Sequence, residues 1–339
     1  MKTETAPVVL RLNALTFPMA AEEREILAAY GARIVEIEGA DDAEILAHGR
    51  DCDALMVISA YVHGSVIREL SRCKMISRLG AGVDKIAVDE ATRRGIIVTN
   101  LPDFCTDEVA DHTMALLLSA ARQLKCFESA MRQGRQPHDL PHMHRLSVQT
   151  LGIIGFGRIG RAVAARAIAF GMRILTVDPQ LTEQEADRAG VKAVDLDTLL
   201  AESDYVCLLC PLMASTRGML SLREFRKMKP SAVLVNTARG ELVDEADLVT
   251  ALQQHIIRYA ALDVFASIDV FAPGGFPTEH PLFSLENVQL TPHVAAYSQE
   301  AHMNSRVPGA QAVVDVLSGR WPQHPVNPEV APWFPLSRQ

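Results

Sequence analysis

Two ionisable side chains in the second half of the chain stand where chemistry is readily done. Arg239 lies in NTARGELVDE, a segment that follows the apolar run AVLV, and precedes a glycine. A guanidinium presents a rigid fork that matches both oxygens of a carboxylate, or a carboxylate oxygen and a neighbouring carbonyl; Lys serves less well. His293 lies in LTPHVAAYS, behind a proline at the end of a strand-like run. Imidazole donates and recovers a proton near neutral pH, and in that role contributes on the order of 10² to 10⁴ in rate. Singly, each has a bland reading, because a strand-end Arg is usually a surface ion pair and a lone His is usually structural. Their occurrence beside a third feature favours the functional one.

That feature is the stretch Thr150 to Pro179, TLGIIGFGRIGRAVAARAIAFGMRILTVDP, which reads as strand, glycine turn, helix and second strand. Gly155 allows a tight turn out of the strand, Gly157 lets backbone approach a pyrophosphate, and Gly160 lets the helix pack close to the sheet. The helix N-terminus offers unpaired N–H groups and a positive dipole end to an anion. Asp178 follows Gly157 by twenty-one residues, at the end of ILTV. A carboxylate there accepts hydrogen bonds from an adenosine ribose and repels a 2′-phosphate, so the unit reads as a site for NAD rather than NADP.

The elements that must position these groups are α/β throughout. Apolar runs at 7–13, 33–38, 54–59, 75–79 and 96–99 alternate with helix-like segments at 20–30, 41–48, 64–72 and 86–94, the pattern of a parallel sheet buried on both faces. The segment GAGVDKI, Gly80 to Ile86, follows the fourth run, where free backbone N–H groups can hold an anion. From Asp107 the sequence DEVADHTMALLLSAARQLKCFESAMRQG predicts one long helix that carries the chain into a second domain. After the glycine unit, three more strands end in polar or glycine-containing residues. A helix from Gln299 to Ser318 precedes a tail, WPQHPVNPEVAPWFPLSRQ, that is expected to be too polar and proline-broken to form core.

With 339 residues and 48% apolar content, two domains with packed cores are expected. A net charge of −8 without a basic stripe argues against nucleic-acid or anionic-membrane partners. The N-terminus MKTETAPVVLRLN lacks a signal-peptide pattern, and no apolar run approaches the roughly eighteen residues of a membrane span, so a cytoplasmic location is expected. Six scattered cysteines do not make a disulfide framework. Cys207 and Cys210 form a C-x-x-C inside a strand, where residues three apart face opposite ways. His138, His142 and His144 have spacings that would not place all three on one helix face, and no Cys or acid completes a site, so a solvated loop rather than a metal is expected.

The motifs RLGAGVDKI, EVADHTMALLL, LGIIGFGRIG, CPLMASTRGM, VNTARGELVDE, AALDVF and NVQLTPH occur in this order. From about residue 50 to 318 the chain resembles the D-isomer-specific 2-hydroxyacid dehydrogenase family, the group of D-3-phosphoglycerate dehydrogenase and the C-terminal-binding corepressors. The resemblance implies two doubly wound parallel-sheet domains, a Rossmann NAD-binding domain at 102–296 inserted into a flavodoxin-like substrate domain formed by 1–101 with 297–339. It implies a substrate cleft between them, hydride transfer between NAD(H) and a small D-2-hydroxy acid or 2-keto acid, and a homodimer formed through the NAD domains. Arg239 would bind the substrate carboxylate and carbonyl, His293 would protonate the carbonyl oxygen, and backbone N–H groups of Gly80, Ala81 and Gly82 would hold the carboxylate. The cofactor would meet Arg158, Ile159, Asp178, Pro211, Thr237, Ala238 and Asp263 besides the three glycines.

One departure bears on the chemistry. The family carries a Glu five residues after the Asp of D-V-F, where it hydrogen-bonds the catalytic His. That position here is Ile268, inside a longer stretch, DVFASIDVFAPGGFPTEHPLF. Asp269 and Glu279 are the two acids nearby; neither aligns directly, and either reaches His293 only if the longer stretch re-routes the loop, so the acid stays open between them. The missing Glu leaves room for an alternative, an NAD-sensing binding protein with little catalysis, against which the retained Arg and His argue.

Overall fold

Short runs rich in Val, Ile and Leu become parallel strands because residues of both parities are apolar, so both faces of each sheet are buried. The computed structural model describes residues 6–135, 143–272, 275–276 and 279–337, which leaves His138 and His142 outside the described residues. The chain divides into two units, Met1–Cys105 with Ser298–Gln339, and Thr106–Tyr297.

In the first unit the strands are β1 (Val8–Arg11), β2 (Arg33–Glu36), β3 (Ala54–Val57), β4 (Met75–Arg78) and β5 (Ile97–Thr99). They pair in parallel in the order β2-β1-β3-β4-β5, the flavodoxin-like arrangement. Leu10, Leu55 and Ile76 point into one core layer, and Val9, Met56 and Met75 into the other. The helix Gln299–Leu317 returns to this unit and joins the second layer through Ala310, Val313 and Val316.

The tail corrects the expectation that it lies outside any core. Val330 and Phe334 are buried in the same layer. Val326 N–H donates to the Val98 carbonyl at 2.7 Å, and Pro325 bridges Thr99 antiparallel. The buried Asn327 accepts from Val98 N–H at 2.9 Å and donates to the Ile96 carbonyl at 3.0 Å. Proline forbids regular ladder pairing, but isolated bridges and one buried amide suffice to close an edge strand.

The second unit has β6 (Thr150–Ile154), β7 (Arg173–Val177), β8 (Lys192–Ala193), β9 (Tyr205–Leu208), β10 (Val233–Asn236), β11 (Tyr259–Leu262) and β12 (Val288–Leu290). All pair in parallel in the order β12-β11-β10-β9-β6-β7-β8, the doubly wound dinucleotide-binding order with one strand added. Ile153, Cys207 and Val235 face one core layer, while Ile154, Leu208 and Leu234 face the other.

The single long helix expected from Asp107 is two. Thr106–Ala121 buries Val109, Ala110, Thr113, Met114, Leu116, Leu117, Ala120 and Ala121; Gln123 then takes a left-handed φ of 52° and a separate helix, Leu124–Arg132, begins. This second helix has no buried residue, so no packing holds it collinear with the first. Among the described residues no helix is long and apolar enough to cross a membrane.

Candidate active site

Since every strand of the second unit runs the same way, all its C-terminal ends lie along one edge, and strand order alone fixes the order of the side chains there. From one side to the other this edge carries Asp178 after β7, the glycine turn after β6, Pro211 beyond β9, Thr237–Arg239 after β10, Asp263 after β11 and His293 beyond β12. Five strand steps at about 4.8 Å each separate the ends, roughly 24 Å. The glycine turn sits where the winding reverses between β6 and β9, the place such sheets use for ligands.

The glycines divide their tasks as expected. Gly155 has φ of +97°, and a β-carbon there would stand 2.5 Å from Cys210 N. A β-carbon on Gly160 would run into the Gly155 carbonyl. On Gly157, the residue before the helix Arg158–Ala169, it would meet nothing within 4 Å. Packing demands the first two glycines, whereas the third faces open space that a ligand can fill. The N–H groups of Ile159 and Gly160 have no acceptor among the described residues, so an anion donor set is present. Asp178 braces the turn: its Oδ2 accepts from Phe156 N–H at 2.7 Å and its Oδ1 from Gln180 N–H at 2.8 Å. Arg158 is exposed at the helix start and Ile159 is half-buried.

Arg239 is held by a residue the sequence reading passed over. The fully buried Asn236 donates to the Arg239 carbonyl at 2.8 Å and accepts from Ala238 N–H at 3.1 Å. The half-buried Arg239 side chain donates to the Ala238 carbonyl through Nη1 at 2.8 Å. Thr237 meets Thr113 at 2.7 Å. Thr113 spends its hydrogen on the Val109 carbonyl at 2.7 Å, so Thr237 is the donor of the pair. Pro211 is exposed, and its carbonyl accepts from the Thr216 hydroxyl at 2.8 Å.

Asp263, expected at the cofactor, is 0% exposed and directs its carboxylate inward. It accepts from the Thr291 hydroxyl at 2.6 Å, Val294 N–H at 3.0 Å and Ala295 N–H at 2.9 Å. These donors flank His293, whose φ is +57°. The stretch after Val264 is pinned by Glu245, which accepts from Ala266 N–H at 2.8 Å and Ser267 N–H at 3.3 Å and lies 3.2 Å from His280 Nε2. Ile268, at the position of the family's Glu, is buried. Asp269 is exposed and accepts from Phe271 N–H at 3.0 Å; Glu279 is exposed. Phe271 brings its ring 5.2 Å from the His293 ring at a 39° tilt.

In the first unit, the loop after β4 has its carbonyls occupied. Gly80 accepts from Leu101 N–H at 2.9 Å, Ala81 from Asn100 Nδ2 at 2.6 Å and Gly82 from Arg78 Nε at 2.9 Å. Gly80 N–H donates to the Arg78 carbonyl at 2.8 Å, while those of Ala81 and Gly82 have no acceptor among the described residues.

Cys207 joins one core layer of the second unit, while Cys210, expected inside the same strand, lies in the bend beyond Leu208 and packs against the other layer. Burial pushes their thiols up to about 12 and about 11, so neither is a thiolate near neutral pH. His144 is exposed, and no metal-ligating cluster occurs among the described residues.

Residues 114–295 match the model of the D-isomer specific 2-hydroxyacid dehydrogenase, NAD binding domain. The chain is 35% identical over 311 residues to D-3-phosphoglycerate dehydrogenase of Mycobacterium tuberculosis, covering 89% of this chain and 58% of that protein. It therefore spans little more than half the length of that relative. To glyoxylate reductase of Korarchaeum cryptofilum it is 38% identical over 291 residues, covering 84% of this chain and 86% of the other. The solved D-lactate dehydrogenase of Aquifex aeolicus, complexed with NAD and lactic acid, superposes with a TM-score of 0.82 at 28% identity, covering 92% of this chain and 96% of that one. With its parallel sheets, its glycine turn and its strand-end Arg and His, the chain belongs to the D-isomer-specific 2-hydroxyacid dehydrogenase family.

Proposed function

We propose that the protein is an NAD-dependent oxidoreductase that interconverts a small D-2-hydroxy acid and its 2-keto acid. The order of groups along one sheet edge carries the reading: a ribose-binding acid, a phosphate-binding turn, an arginine fork and a proton donor follow one another. Gly155, Gly157, Arg158, Ile159 and Gly160 suit the pyrophosphate, Asp178 the ribose, and Pro211, Thr237 and Ala238 the path toward Arg239. Bound there, the nicotinamide supplies or accepts a hydride. Arg239 binds and orients the substrate carboxylate and neighbouring carbonyl in a bidentate fork. The His293 imidazole gives its proton to the carbonyl oxygen in reduction and takes the hydroxyl proton in oxidation. In the first unit, the open N–H groups of Ala81 and Gly82 suit a carboxylate, and Arg78 and Asn100 fix the loop that presents them.

Support for a homodimer comes from the helix Leu124–Arg132, which has no fully buried residue and leaves Leu124 56% and Met131 81% exposed. Six free thiols, four of them buried, suit the reducing cytoplasm. No feature favours the NAD-sensing alternative.

The test is NADH oxidation with glyoxylate, hydroxypyruvate, pyruvate and phenylpyruvate. Turnover is expected with at least one, falling on the order of 10² to 10⁴ in His293→Ala. NADH binding without turnover on any of the four counts against the reading.

A further inference from the structure

A second histidine stands behind the His293 turn. His112, on the helix Thr106–Ala121, places Nε2 3.0 Å from Thr291 Oγ1 and 3.5 Å from Asp263 Oδ1. Proton counting sets the direction of these bonds. Thr291 has one hydroxyl hydrogen and donates it to Asp263 Oδ1 at 2.6 Å, so its oxygen accepts from His112 and the imidazole Nε2 carries the hydrogen. The result is a directed chain from His112 through Thr291 to Asp263.

This chain grips both sides of His293. Thr291 lies two residues before it, and the Thr291 carbonyl accepts the His293 N–H at 3.1 Å. Val294 and Ala295 follow it, and both donate their N–H groups to the buried Asp263 carboxylate. His293 itself holds a φ of +57°, a region that residues with a β-carbon rarely adopt. Such a conformation persists where surrounding contacts over-determine it, and here those contacts are Thr291 and Asp263. Removing the His112 donor leaves the Thr291 oxygen without that partner and loosens the hydroxyl that Asp263 accepts from.

We propose that His112 is a positioning residue for His293, acting through Thr291 and Asp263 to hold the strained turn that aims the imidazole. The inference rests on the reading of His293 as proton donor. His112 neither gives nor takes the substrate proton; it sets where the donor stands. An off-line donor lowers turnover while leaving dinucleotide affinity in place, because the glycine turn and Asp178 lie three or more strands away on the same edge.

The experiment uses the full chain with His112→Ala, His112→Gln, Thr291→Val, the double variant H112A/T291V, and His293→Ala. Each is measured for kcat and KM, NADH affinity by fluorescence titration, and thermal midpoint. Loss of the His112 hydrogen bond is expected to lower kcat roughly ten-fold in His112→Ala, and Thr291→Val, which loses that bond and the one to Asp263, falls by at least as much. NADH affinity stays within about two-fold, and the midpoint within a few degrees. His112→Gln, whose amide N–H can take the place of Nε2–H, recovers most of the loss. The double variant is no slower than the worse single one, since both remove the same link. Wild-type turnover in His112→Ala overturns the proposal, as does a loss that Gln fails to rescue and that tracks the midpoint. The isosteric Thr291→Val decides the matter if His112→Ala does not fold. Full activity in His293→Ala overturns instead the proton-donor reading on which the proposal stands.

Discussion

Burial pushes the Asp263 carboxyl up, but the nearby His112 and the hydrogen bonds from Thr291, Val294 and Ala295 outweigh it and hold the group below the usual carboxylate range. A carboxylate depressed in this way stabilises the fold at any pH above its unfolded value, near ~4, and the contribution is lost as pH falls through the folded value. Asp263→Asn removes the charge and turns an amide N–H toward donors that expect an acceptor. The variant is expected to melt below the wild type at neutral pH, with the gap narrowing below about pH 4. Midpoints recorded from about pH 7 down to about pH 3 check this, and a gap that stays constant means that charge is not what the turn requires.

At the scale of elements, the C-terminal tail does the work of an edge guard. Strand β5 ends the first sheet, and an uncovered edge invites pairing with other chains. The tail covers it through Val326, Asn327 and the Pro325 bridge, and adds Val330 and Phe334 to the core. Asn327 also donates to the Thr92 hydroxyl at 2.9 Å, so one amide ties three segments together. Asn327→Ala leaves the Val98 N–H and Ile96 carbonyl unpaired in a buried place, at about 1–3 kcal/mol for each group. A lower urea midpoint with unchanged NADH affinity is expected. An unchanged midpoint would show that the tail is decoration.

At the scale of the whole molecule, parallel topology gathers the chemistry, and one helix, Leu124–Arg132, stays outside both cores. The helix Leu124–Arg132 and the sequence segment containing Val148, 71% exposed, present apolar side chains that are exposed among the described residues. Light scattering is expected to give a two-chain mass for the wild type and a one-chain mass for L124E/M131E. A wild-type mass of one chain would remove the homodimer.

The sequence by itself determined the strands, their parallel sense, the glycine turn with Asp178, and Arg239 and His293. These follow from local properties: apolar runs buried on both faces, glycines where no β-carbon fits, and ionisable groups at strand ends. What it missed depends on contacts between distant segments. His112 and Thr291 are 179 positions apart, and Asn327 and Val98 are 229 apart, so no local pattern marks them as partners. The break at Gln123 was hidden for the same reason, since helix propensity continues through it while burial stops at Ala121. Only the tertiary structure decided that Asp263 turns inward, that a phenylalanine meets His293 beyond the position of the family's glutamate, and that a proline-rich tail belongs to a core. Each is settled by which surfaces are free to bury one another, a question that residue type and spacing do not answer.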